Sequence, residues 1–218
     1  GGPIYPTWLD RPLGVAGQIL LKDGSRQLFR TAEAVGLFPN PPIHLMRELN
    51  KQLTYNPHDQ LRFAIPDPAG DDGAYEAFVG LIAAHAGLTV ADIDGLHLGV
   101  FEHQGPVAIG SMVNSPKLDN LSGCAAVLAG LQTALTENHP VVCVLYDHEE
   151  IGSRTATGAL SPLLSTVLER LSLASGGDRW DHLLRLEQSL VVSVDAAHAY
   201  NPSFGDRYDT VYTPRLGR

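Results

Sequence analysis

Two adjacent glutamates, Glu149 and Glu150, follow the apolar run Pro140-Val141-Val142-Cys143-Val144-Leu145-Tyr146 inside Asp147-His148-Glu149-Glu150-Ile151-Gly152-Ser153. A run of that hydrophobicity is expected to be a buried strand, with the two carboxylates at the lip of a packed sheet. Two like charges there are costly unless a cation or a shared proton offsets them. On an extended segment successive side chains face opposite ways. One glutamate can then hold a metal ion while its neighbour faces water, the division of labour of a metal-assisted hydrolase. Two more acids sit where such a site could use them. Asp119 lies in Ser115-Pro116-Lys117-Leu118-Asp119-Asn120, and Asp195 follows the apolar run that ends in Val194. Three carboxylates with imidazoles suit a pair of zinc or other divalent ions, one carboxylate bridging and a spare glutamate serving as base.

Each acid also has a plain reading. A single Asp before a helix is ordinarily an N-cap, and an acid at a strand end is often a turn former. The glutamate pair is not explained in either way. His148 and His198 flank the acids and read more naturally as neighbours of a site than as ligands. His58, His85, His97, His139 and His182 lie in loops or on helix faces and are expected at the surface or satisfied in a core. His103, beside Glu102, fits either reading. Cys124 and Cys143 fall in apolar runs and read as reduced core residues.

The elements that must position these residues divide the chain in two. Up to about residue 110 there are β-like runs from Leu13 to Leu21 and from Arg26 to Thr31. A Pro-flanked helix candidate runs from Ile43 to Gln52, and a polar loop runs from Thr54 to Gln60. A helix from Gly73 to Ala86 is expected, with Asp72 as N-cap and Gly87 as its stop, then a strand from Gly95 to Phe101. In the second half Ser122 is expected to cap a helix from Gly123 to about Leu135. A strand from Val141 to Tyr146, a helix from Leu160 to Ser172 and a strand from Leu190 to Val194 follow. Apolar runs without alternation, separated by helices, predict an α/β fold with a mixed, largely parallel sheet covered by helices. Ligands of such sheets bind beyond the carboxyl ends of the strands, where Glu149, Glu150 and Asp195 would lie.

Composition narrows the function classes. With 218 residues, 44% apolar and 18% charged, the chain can bury a core. A net charge of −9 argues against nucleic acid as a partner. No apolar stretch has the length of a membrane span. The start at Gly1-Gly2-Pro3 and the unpatterned end at Pro214-Arg215-Leu216-Gly217-Arg218 suggest a polypeptide cut at both ends.

The chain resembles the aspartyl aminopeptidases, cytosolic two-zinc exopeptidases. Four segments carry the match: Thr7-Trp8-Leu9-Asp10-Arg11-Pro12-Leu13 with Ala16-Gly17; Ile43-His44-Leu45-Met46-Arg47-Glu48-Leu49-Asn50; Ser115-Pro116-Lys117-Leu118-Asp119-Asn120-Leu121; and Asp147 to Ser153. Ser193-Val194-Asp195-Ala196-Ala197-His198-Ala199 supports it. The resemblance implies that Asp119 bridges two zinc ions, that Glu150 and Asp195 each bind one, and that Glu149 is the general base. It implies that His44 contacts substrate in the active site of a partner subunit. Residues 1–107 then correspond to an inserted, β-rich dimerisation domain and residues 108–218 to part of the metallopeptidase domain. The implied reaction removes an N-terminal Asp or Glu from a peptide, in a cytoplasmic homodimer or larger homo-oligomer.

The resemblance has departures. The family's histidine ligands lie upstream of Gly1 and near the C-terminus, outside these residues, and Asn201 stands where the family has a histidine. An incomplete chain with weak metal retention and little turnover of its own is therefore expected. Two rivals remain: a non-catalytic assembly module of the same fold, and a related two-metal aminopeptidase or deacylase of other specificity.

Overall fold

The computed structural model describes residues 2–66, 73–134 and 140–217, and the chain divides into two compact units. One comprises Pro3–Pro116, and the other Gly1–Gly2 with Lys117–Arg218.

The first unit is built on a three-stranded antiparallel sheet. Strand β1 (Leu13–Leu21) lies between β2 (Arg26–Arg30) and β3 (Ile93–Glu102). In the register, Val15 faces Val100 and Ile19 faces Leu96. The β1–β2 pairing extends one residue further through Thr31, whose N–H donates to the Val15 carbonyl and whose hydroxyl accepts from the Val15 N–H. Gly17 is needed in β1 because its φ is 151° and a β-carbon there would lie 2.2 Å from the His97 carbonyl oxygen. Between β2 and β3 come a single turn, α1 (Pro57–Gln60), capped by the Asn56 side chain, and helix α2 (Ala74–Ala86). Helix α2 stops at Gly87, whose left-handed φ of 69° lets its N–H reach the Ala83 and Ala84 carbonyls. Val15, Ile19, Phe29, Val35 and Ile82 form the core where α2 meets the sheet. A short hairpin of β4 (Val107–Ile109) and β5 (Met112–Asn114) belongs to this unit.

The second unit holds α3 (Leu118–Ala134), α4 (Leu163–Ala174) and α5 (Arg179–Glu187). Helix α5 opens with a capping box in which Asp178 and Asp181 bond each other's backbone N–H. Helices α4 and α5 are joined by a buried pair, Ser172 Oγ and His182 Nδ1, 3.1 Å apart. His182 is thus a satisfied interior histidine.

Several expectations change. The segment from Ile43 to Gln52 forms isolated turns closed on Pro42, Met46 and Glu48 rather than a helix. Leu45 is 82% exposed, so no packed face offsets the cost of helix nucleation. Ser122 does not cap a helix; it lies inside α3, and its hydroxyl donates to the Leu118 carbonyl at 2.6 Å. Asp72, Leu135 and His139, expected as an N-cap, a helix end and a loop histidine, lie outside the described residues.

The largely parallel sheet is not formed among the described residues, where both sheets are antiparallel. The runs 140–146 and 190–194 have no strand partner. Most of their side chains are exposed, with Leu190 at 88% and Val191 at 84%, while Cys143 and Val144 are half-buried. A strand exists only where a neighbour takes its N–H and C=O groups, and neither run has one here. What holds is a mixed α/β chain of small sheets and helices.

Candidate functional site

Glu149 and Glu150 sit on one turn of 3-10 helix, Glu149–Ile151. His148 before it has φ 61°, and Gly152 and Ser153 after it have φ 98° and 59°. These three positive-φ residues, on either side of the turn, bend the chain sharply as it leaves the apolar run. The extended geometry expected for the pair is therefore absent. At three residues per turn the two side chains still diverge, by about 120°. The loop is closed by its own bonds: Ser153 N–H donates to the His148 carbonyl at 2.9 Å, and Leu160 N–H to the Ser153 carbonyl at 3.1 Å. The His148 Nδ1 lies 2.7 Å from the Thr155 hydroxyl, so that imidazole orients the loop. Gly158 packs so closely that a β-carbon would sit 2.3 Å from the Ser153 carbonyl oxygen.

Both glutamates are exposed. Water solvates them, and the burial cost expected at a sheet lip does not arise here. One oxygen of Glu150 is engaged, since the Gly2 N–H donates to Oε2 at 2.6 Å.

Asp119 occupies a break at the start of α3, where Asp119 and Asn120 have non-helical backbone angles. The Asn120 Nδ2 donates to the Val194 carbonyl oxygen at 2.8 Å, across 74 residues of chain. Asn120 follows Asp119 and Val194 precedes Asp195. One hydrogen bond thus joins two of the three acidic segments. The Asp195 Oδ1 accepts from the Ala196 N–H at 2.8 Å, which fixes the carboxylate against its own backbone. His198 packs edge-on against Tyr208, with ring centroids 5.5 Å apart. That is the packing role expected of it. His44 is exposed in the turn region of the first unit. Cys124 and Cys143 are free thiols, half-buried rather than core.

As oxygen donors, Asp119, Glu150 and Asp195 have the chemistry for a divalent cation. Their convergence is only partial. Among the described residues no three His, Cys, Asp or Glu side chains gather closely enough to hold a metal ion. The chain thus offers part of a centre. Two contributors went unnoticed in the sequence, the Asn120 amide and the Gly2 N–H. The Leu-Asp-Asn order was the only signal for the first, and a backbone donor gives none.

The whole chain, residues 1–218, matches the family described as Aminopeptidase I zinc metalloprotease (M18). It belongs to this family. A probable M18 family aminopeptidase 2 of Mycobacterium bovis (strain BCG / Pasteur 1173P2) is 35% identical over 223 residues, covering 96% of this chain and 50% of the relative. That of Clostridium novyi (strain NT) is 34% identical over 229 residues, 100% and 52%. The M18 chain thus spans about half the length of the curated relatives it matches. In the cryo-EM structure of the Ape4 and Nbr1 complex a chain superposes with a TM-score of 0.78 at 27% identity, covering 100% of this chain and 47% of that one. The S. cerevisiae mApe1 dodecamer shares the fold, with a TM-score of 0.65 at 22% identity over 98% and 50%.

Proposed function

We propose that this chain carries the central carboxylates of an M18 metalloaminopeptidase, with Asp119, Glu150 and Asp195 as zinc ligands around two ions and Glu149 as the general base. The observation that carries the reading is the Asn120–Val194 hydrogen bond, which draws together two segments whose acids are distant in sequence. The family match over all 218 residues supports it. The substrate class is a peptide with an N-terminal Asp or Glu. Hydrolysis forms a C–O bond to the scissile carbonyl and breaks its C–N bond. Glu149 takes a proton from the attacking water and delivers it to the leaving amine. Zinc, when bound, supplies the Lewis acidity that polarises the carbonyl.

The parallel sheet belongs to this proposal. The runs 140–146 and 190–194 are sheet positions whose neighbours come from the half of an M18-length polypeptide that this chain does not span. Residues 1–107 serve as the dimerisation insert, and residues 108–218 are the partial catalytic domain. His44 reaches the substrate of a partner subunit, in a cytoplasmic homo-oligomer. A dodecameric neighbour of the same fold is consistent with assembly.

The test compares zinc content and cleavage of Asp-, Glu- and Leu-initiated peptides in the M18-length protein that contains these residues. Glu149→Gln is expected to keep its zinc and lose activity by about 10²–10⁴-fold, whereas Glu150→Gln and Asp195→Asn lose zinc. Zinc content indifferent to all three substitutions would sink the assignment. Preference for the Leu peptide would favour a related enzyme of other specificity. The assembly-module reading draws on the first unit, which holds the buried hydrophobic core, and on the incomplete donor set. It predicts full assembly and no change of any kind on Glu149→Gln.

A further inference from the structure

We infer that Asn120 is a positioning residue, holding the Asp119 turn against the end of the 190–194 run, and that Gly123 is required beneath it. The inference rests on the proposed function, which gives the joined segments their purpose. Asn120 lies in the break at the head of α3, and its Nδ2 donates to the Val194 carbonyl oxygen at 2.8 Å. That bond sets the separation of the backbone after one proposed ligand from the backbone before another.

Two further observations point to the same amide. Its Oδ1 is buried, and among the described residues no donor reaches it. A buried acceptor without a partner is unfavourable, so the amide is held in place by something other than its own satisfaction. Gly123 is buried inside α3, where glycine weakens a helix relative to alanine. A β-carbon there would lie 2.2 Å from Asn120 Oδ1 and 3.0 Å from Nδ2. Any side chain at residue 123 must push the amide away from Val194. The glycine is thus the floor on which the amide rests, and the bond to Val194 needs both.

The M18-length protein that contains these residues is titrated with zinc against a chromogenic chelator, and its cobalt-loaded form is examined by absorption spectroscopy. Asn120→Ala and Gly123→Ala are each expected to weaken zinc binding by about 10–100-fold, the usual effect of removing a group that orients a ligand. The cobalt ligand-field bands should shift in both, while the melting temperature of the metal-free protein moves little. Should Asn120→Ala fail to fold, Gly123→Ala carries the test, since it keeps the amide and only displaces it. Wild-type zinc affinity and cobalt bands in the variants overturn the inference alone. Zinc uptake that is absent, or unaffected by Asp119→Asn and Asp195→Asn, overturns the functional reading and this inference with it.

Discussion

At Asp92 a single exposed carboxylate is tuned by local bonds. The Thr89 hydroxyl and backbone N–H both donate to it, at 2.7 and 2.8 Å, in the capping box that leads into β3. The hydroxyl is the larger cause of a pKa held below the ordinary 3.8, with the Thr89 N–H next and Lys22 contributing a smaller attraction. A carboxyl lowered on folding adds stability that is complete above its unfolded value and lost as pH falls through the folded one. Thr89→Ala should therefore raise the Asp92 titration midpoint toward 3.8, read by carboxyl NMR. It should also flatten the fall in melting temperature below about pH 4. An unmoved midpoint would reject the hydroxyl as its cause. Such bonds are partly legible in sequence, because Thr89 stands three residues before Asp92. Glu149, Glu150 and Asp195 stand out in the sequence by type and by place after apolar runs, and Asp119 by its place before a helix. The bonds that orient them, from Asn120 to Val194 and from Gly2 to Glu150, join residues 74 and 148 apart, and no local pattern announces those.

At the scale of elements, the strands and helix of the first unit followed their sequence cues because each found a neighbour. Strand β1 runs from Leu13 to Leu21 as its pattern predicts, and α2 ends at Gly87 as predicted. The turns at 42–52 and the unpaired runs at 140–146 and 190–194 lack a packing partner among the described residues, and the regular element is not made. Helix α2 allows both halves of this argument to be measured. Ile82 is 0% exposed against Val15, Ile19, Phe29 and Val35, so Ile82→Ala should destabilise the first unit by about 2–5 kcal/mol in urea unfolding. Gly80, in the same helix, has nothing within 4 Å of where a β-carbon would sit. Gly80→Ala should stabilise by about 0.5–1 kcal/mol through helix propensity alone. Equal effects at the two positions would mean that packing on the sheet does not hold α2.

Across the whole molecule the two units differ in how they are held. Every buried hydrophobic side chain among the described residues lies between Leu9 and Ala83, in the first unit. In the second, Val141, Val142, Leu145, Leu190, Val191 and Val192 are exposed along two extended runs, beside helices whose Leu171, Leu173, Leu183 and Leu184 are exposed as well. On the proposed reading, the part of an M18-length polypeptide that this chain does not span covers these side chains. Backbone groups in an unpaired extended run are a ready template for an added strand. Glu149, Glu150 and Asp195 follow the ends of those runs, so on the proposed reading their geometry depends on the runs gaining strand neighbours. Hydrogen exchange on the chain by itself should show the amides of β1 and β3 strongly protected and those of 140–146 and 190–194 exchanging almost freely. Co-expression with the segments of the Mycobacterium relative that this chain does not match should protect both runs and suppress binding of a hydrophobic dye. Protection of the runs in the isolated chain would mean that the second unit completes its own sheet. Zinc affinity should rise together with protection, since the same strands that bury Val192 and Val142 would hold Asp195 and the glutamate turn in place.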